Sequence, residues 1–96
     1  MRAAYVLNIK PGREEAYREA HKMVWPELIA EASKAGIRNH SCFMHERMVF
    51  VYLEADNTEV SIQALMHTEV KQSWNKQMEE YLESATITLE EVFHME

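Results

Sequence analysis

The run Met48 to Ala55, MVFVYLEA, carries apolar side chains at Val49, Val51 and Leu53 and again at Met48, Phe50 and Tyr52. Successive side chains of a strand point to opposite faces, so a strand built from this run is apolar on both sides. Each apolar face must be buried against another layer. Helices of the same chain can cover one face. The chain has 96 residues, enough for one domain spanning 1–96 and no more, so the second cover points to another copy of itself. A domain of this size buries a limited core, and association adds to it.

The flanking segments supply the rest of the pattern. Ala3 to Ile9 is apolar and β-leaning, and Lys10-Pro11-Gly12 punctuates it as a turn. Arg13 to Ala35 reads as a long helix, with Ala16, Ala20, Met23, Val24, Leu28 and Ala32 near a 3.6-residue period. Glu14 and Glu15 suit its N-terminus, Gly36 its C-cap, and Pro26 kinks it or splits it in two. Ile37–His45 and Met48–Ala55 read as a hairpin around Glu46-Arg47, a turn without the usual glycine or asparagine. Asp56-Asn57-Thr58 offers caps for a second helical region from about Glu59 to Leu82, broken near His67-Thr68, where Thr68 can cap a new helix. Thr86 to His94 reads as the last strand. The order β-α-β-β-α-β predicts an α+β, ferredoxin-like subunit: a four-stranded antiparallel sheet with helices on one face, paired through the other as a dimeric α+β barrel.

Charge and cysteine usage narrow the partners. The net charge is −6, with no basic patch, which argues against nucleic acid and against anionic membranes or phosphorylated substrates. Cys42 is alone, so no internal disulfide forms; together with the lack of a leader-like or membrane-length apolar segment this predicts a cytoplasmic protein. Gly12 and Gly36 are the two glycines, which leaves no phosphate-binding loop. The histidines show no zinc-site spacing, and Cys42 reads as buried filler. No metal or cofactor is expected.

Two constellations can carry chemistry. Tyr17 and His21 lie four apart on one helix face, with Trp25 roughly continuing the stripe. Histidine transfers protons near neutral pH, and a phenol beside it orients a hydroxyl or relays a proton. The same spacing also fits an amphipathic core stripe, and spacing alone leaves both readings open. Trp74, in Gln72-Ser73-Trp74-Asn75, suits the apolar face of a carbohydrate or, equally, a core anchor. His40 and His45 lie on opposite faces of one strand. The acidic pairs Glu79-Glu80 and Glu90-Glu91 read as solvated surface.

The segment Glu15 to Leu28, EAYREAHKMVWPEL, resembles the L-rhamnose mutarotase family at each fixed position of E-x-Y-x-x-x-H-x-x-x-W-P-E-L. Gly36-Ile37-Arg38-Asn39, Gln72-Ser73-Trp74 and Leu89-Glu90-Glu91-Val92-Phe93 resemble further segments of that family, so the likeness runs over nearly the whole chain. The resemblance implies a homodimer of ferredoxin-like subunits, without metal or cofactor, that interconverts the α and β anomers of a free 6-deoxy-L-aldose. It implies His21 as proton donor to the ring oxygen, Tyr17 as a second catalytic or sugar-contacting group, and Trp74 as a sugar contact. Three positions depart from the family: His40 stands for a strand tyrosine, Asn75 for a second tryptophan, and Glu83-Ser84-Ala85 for a longer loop. His40 and Asn75 are then the expected substituted sugar contacts, and the L-fucose branch is the nearer match. Two other readings remain: a small monooxygenase on the same dimeric barrel, and a non-catalytic sugar-binding module.

Overall fold

The structure is a computed structural model that describes residues 1–96. Its elements are β1 (Arg2–Ile9), α1 (Glu14–Lys22), α2 (Pro26–Lys34), β2 (Arg38–His45), β3 (Met48–Glu54), α3 (Thr58–Met66), α4 (Glu69–Met78) and β4 (Leu82–Leu89). The strands form one sheet in the order β2-β3-β1-β4, each neighbouring pair antiparallel. This is the ferredoxin-like α+β architecture that the element order predicts. No helix is long and apolar enough to cross a membrane.

Local chemistry sets most boundaries. Pro11 and Gly12, with Gly12 at φ +81, occupy the middle of a turn closed by the Arg13 N–H donating to the Lys10 carbonyl. Pro26 stands at the first position of α2, where its missing N–H is no loss. The long helix of the sequence reading is therefore split, and Met23, assigned there to the apolar stripe, is 84% exposed in the connection. The Asn57 side chain caps α3 by accepting from the Val60 N–H, and Thr68 caps α4 by accepting from the Lys71 N–H.

The core lies between the helices and one face of the sheet. Val49, Val51 and Leu53 are almost fully buried against Tyr17, Leu28, Leu65, Trp74 and Met78. Pairing aligns Cys42, Val51, Tyr5 and Thr88 in one row across this face. On the opposite face Phe43, Phe50, Val6 and Ile87 make the matching row. Phe43 is 64% exposed and Ile87 52%.

Three expectations are corrected. The second helical region ends at Met78 instead of Leu82. The last strand is Leu82–Leu89, not Thr86–His94. Pairing with β1 stops at Leu89 opposite Ala4, and beyond it Glu91 meets Arg2 through side chains only. Glu83-Ser84-Ala85 is no loop: Leu7 pairs with Thr86 and Ile9 with Leu82, so these three residues face Asn8 alone as a bulge within β4.

Candidate active site

A cavity of about 840 Å³ opens between the helices and the sheet, within the range of small-molecule sites. All five residues singled out from the sequence line it: Tyr17 and His21 from α1, His40 from β2, and Trp74 and Asn75 from α4. A smaller groove of about 440 Å³, between Arg2, Tyr52 and the C-terminal segment, holds none of them.

The helical spacing of Tyr17 and His21 becomes a direct stack, with ring centroids 4.1 Å apart and planes at 27°. His21 also stands nearly perpendicular to Trp74 with ring centroids 5.3 Å apart, and Trp25 does the same at 5.1 Å. Trp25 packs on Trp74 and does not itself line the cavity. Tyr17 and Trp74 are each 5% exposed and belong to the core cluster. These two residues are core, anchoring helix to sheet, and they also wall the cavity.

His21 Nδ1 donates to the Tyr17 carbonyl at 2.9 Å. A carbonyl only accepts, so Nδ1 carries a proton and the neutral ring presents an unprotonated Nε2. His21 in this tautomer is a base, and it becomes an acid only after taking a second proton.

His40 reaches the cavity through a backbone irregularity. Arg38 pairs with Glu54 and Ser41 with Tyr52, so Asn39 and His40 both oppose Leu53. Asn39 takes φ +49, a left-handed conformation that asparagine tolerates. Its Nδ2 donates to Glu54 Oε1 at 2.9 Å, and the Tyr52 hydroxyl donates to Glu54 Oε2. This trio holds the bulge. Asn75 Nδ2 lies 3.6 Å from the Met66 sulfur, a weak contact that leaves most of the amide's hydrogen-bonding capacity free.

The cavity also gathers groups to which the sequence reading gave no site role. Tyr5, Cys42 and Lys71 line it with Tyr17, His21 and His40. Cys42 is not core filler: its position faces the helices, where the cavity opens onto it. Water reaches Cys42 and His40 from the cavity while protein surrounds their polar atoms, and that crowding shifts their titration. Burial raises the Cys42 thiol, raises the Tyr5 phenol to about 12, and raises Tyr17 further. Burial, with Lys71 and His21 nearby, lowers His40. Burial also lowers Lys71. Each shift favours the neutral form. A signal for Lys71 existed, since it lies three residues before Trp74 on the same helix face. Tyr5 had none without the strand register. No three His, Cys, Asp or Glu side chains come together as a metal site requires.

An L-rhamnose mutarotase from Bacteroides thetaiotaomicron is 33% identical, with 99% of this chain and 98% of the relative covered. One from Oceanobacillus iheyensis is 28% identical over the same shares. The crystal structure of L-rhamnose mutarotase from Formosa agariphila superposes with a TM-score of 0.86 at 27% identity, covering 100% of this chain and 99% of that one. A putative antibiotic biosynthesis monooxygenase from Nitrosomonas europaea follows at a TM-score of 0.69 and 14% identity, covering 92% and 84%; that likeness concerns the fold alone. The family model described as L-rhamnose mutarotase matches residues 2–95. The chain belongs to the L-rhamnose mutarotase family and is a carbohydrate isomerase of the mutarotase type.

Proposed function

We propose that this chain interconverts the α and β anomers of a free 6-deoxy-L-aldose, with L-rhamnose and L-fucose the leading substrates. The observation that carries the proposal is the stack of Tyr17 on His21 beside the buried face of Trp74, within a cavity of monosaccharide scale. The sugar's C–H face rests on Trp74, and Tyr17, His40 and Asn75 hydrogen-bond its hydroxyls.

Mutarotation opens the pyranose ring and recloses it on the other face of C1. A proton leaves the anomeric hydroxyl and another reaches the ring oxygen. The hydrogen bond from His21 Nδ1 to the Tyr17 carbonyl favours His21 Nε2 as the first acceptor. The imidazolium so formed then returns the proton on closure. This reverses the order the sequence suggested, where His21 acted first as acid. Tyr17, held protonated by burial, serves as a hydrogen-bond donor. Positioned acid/base groups contribute about 10²–10⁴-fold, and orientation on Trp74 adds to that. No covalent intermediate is needed.

Exchange NMR between the anomers of L-rhamnose, L-fucose and common aldoses tests the proposal. The expected result is accelerated exchange for a deoxy-L-aldose and a loss of about 10²-fold or more in His21→Ala. Sugar binding without exchange identifies a binding module instead. Full activity in His21→Ala removes His21 from the chemistry and leaves the function standing.

We further propose a homodimer formed through the outer sheet face. Supporting it are the exposed Phe43, Phe50, Met48, Ile87 and Leu89 on that side, too much apolar area for solvent. A cytoplasmic location fits the single, unpaired cysteine.

A further inference from the structure

Lys71 is the one lysine or arginine on the cavity lining. It projects from α4 one turn before Trp74. Six other cations of the chain face a carboxylate: Arg2, Arg18, Lys22, Lys34, Arg38 and Arg47. Lys10 donates to the Glu79 carbonyl. Arg13 and Lys76 have no such partner but are exposed. Lys71 alone is both partly buried and unpartnered. Withdrawing an ammonium from water without an acceptor costs free energy. A cavity that must hold a ring of hydroxyls supplies the acceptor this position lacks.

His21 offers Nε2 as an acceptor, so ring opening needs a donor elsewhere in the cavity. We propose that Lys71 is that donor, delivering a proton to the pyranose ring oxygen while His21 takes one from the anomeric hydroxyl. The role rests on the mutarotase reading and completes it. The O1–H bond breaks to His21 Nε2, and its electron pair forms the C1=O1 bond. The C1–O5 bond breaks toward O5, which takes a proton from Lys71 Nζ. The products are the open-chain aldehyde, an imidazolium and a neutral amine. Rotation about C1–C2 exposes the other face of C1. On closure O5 attacks C1 and returns its proton to Lys71, and His21 reprotonates O1. Both groups end as they began, and no co-reactant is consumed.

The surroundings favour this assignment. Cys42 and His40 on β2 flank Lys71, and both are held neutral. Tyr5 on β1 and Tyr17 on α1 are likewise neutral. The carboxylates on the lining are Glu59, Glu79 and Glu83; each is exposed, none bonds to Lys71, and Glu83 faces Arg47 at 3.6 Å. Burial brings Lys71 below the ordinary lysine range, closer to the working pH, where an acid transfers its proton more readily. Activity therefore falls as pH rises through the Lys71 titration.

The test is the pH profile of anomer exchange for wild type, Lys71→Met and Lys71→Arg, with kcat and KM separated. In Lys71→Met the expected result is a fall of about 10²-fold in kcat and loss of the alkaline limb. Lys71→Arg keeps the charge but holds its proton throughout. Its kcat stays low and its alkaline limb vanishes, while KM stays near wild type. An unchanged kcat in Lys71→Met, or a raised KM with the alkaline limb intact, overturns the role and makes Lys71 a binding contact at most. If Lys71→Met fails to fold, Lys71→Arg decides by the same limb. If wild type exchanges no sugar, the mutarotase reading falls and this role with it; an active wild type beside a fully active Lys71→Arg with an unmoved limb removes Lys71 alone.

Discussion

His40 occupies the second of two positions that oppose Leu53, and burial keeps its imidazole from charging. Its pKa in the folded chain is lowered from 6.5. Below the ordinary histidine value the unfolded chain therefore binds more protons than the folded one, and stability falls as pH drops through that region. Replacing His40 by Asn removes this contribution. Urea midpoints measured at pH 7 and pH 5 are expected to differ less in His40→Asn than in wild type; an equal or larger difference assigns the acid sensitivity elsewhere. Residues 39 and 40 divide the labour. Asn39 takes the left-handed conformation and ties to Glu54, and His40 lines the cavity. A tyrosine at that position would extend farther into the cavity, so the substitution changes the depth available to a sugar ring and bears directly on which aldose fits.

The helices are short, nine or ten residues each, and isolated helices of that length are marginal in water. Caps and termini matter more to them as a result. α2 ends in a Schellman arrangement: the Gly36 N–H donates to the Ser33 carbonyl and the Ile37 N–H to the Ala32 carbonyl, with Gly36 at φ +93. A side chain there is strained by its backbone, and a Cβ would come within 3.2 Å of Ser61 Oγ on α3. Gly36→Ala is expected to destabilise the chain by about 1–2 kcal/mol, read from denaturant unfolding. Thr68→Ala should lose about 1 kcal/mol by uncapping α4. Because α4 carries Lys71, Trp74 and Asn75, this second change is also expected to weaken sugar affinity, and calorimetry with the accepted sugar checks it. Pro26 acts in the other direction, by ending one helix and starting the next. Trp25, in the break, packs nearly perpendicular to Trp74.

At the scale of the molecule, the sheet separates two tasks. Its helix-facing side supplies core and cavity, and its outer side presents Phe43, Phe50 and Ile87 in one row, with Val6 between Phe50 and Ile87 already buried. Burying such a row stabilises by about 25 cal/mol per Å², and in a 96-residue chain that gain is a large share of the net. Phe50→Lys with Phe43→Lys is expected to shift the chain from dimer to monomer in light scattering after size exclusion and to lower its melting temperature. A wild-type chain that elutes as a monomer ends the dimer proposal. The C-terminal segment is continuous with this side: Glu91 ties to Arg2 through two bonds of about 3 Å, yet Val92 and Phe93 are 85% and 79% exposed.

The sequence by itself determined what depends on near neighbours. Proline, glycine and capping residues mark where helices stop and start. Alternation in Met48–Ala55 shows a strand with two apolar faces, and a four-residue spacing puts Tyr17 beside His21. These are short-range facts of covalent geometry and helical pitch. The tertiary structure decided what depends on pairing between distant segments. The bounds of β4 follow from its pairing with β1, where Leu89 stands opposite Ala4, more than eighty residues earlier. The β2 bulge aims His40, and the row Cys42–Val51–Tyr5 brings a thiol and a phenol to the same wall. Lys71 joins them because α4 packs over that row. Register is a collective property of whole strands, so no local signal placed Tyr5 and Cys42 on that wall, whereas the three-residue spacing of Lys71 and Trp74 was legible along the chain.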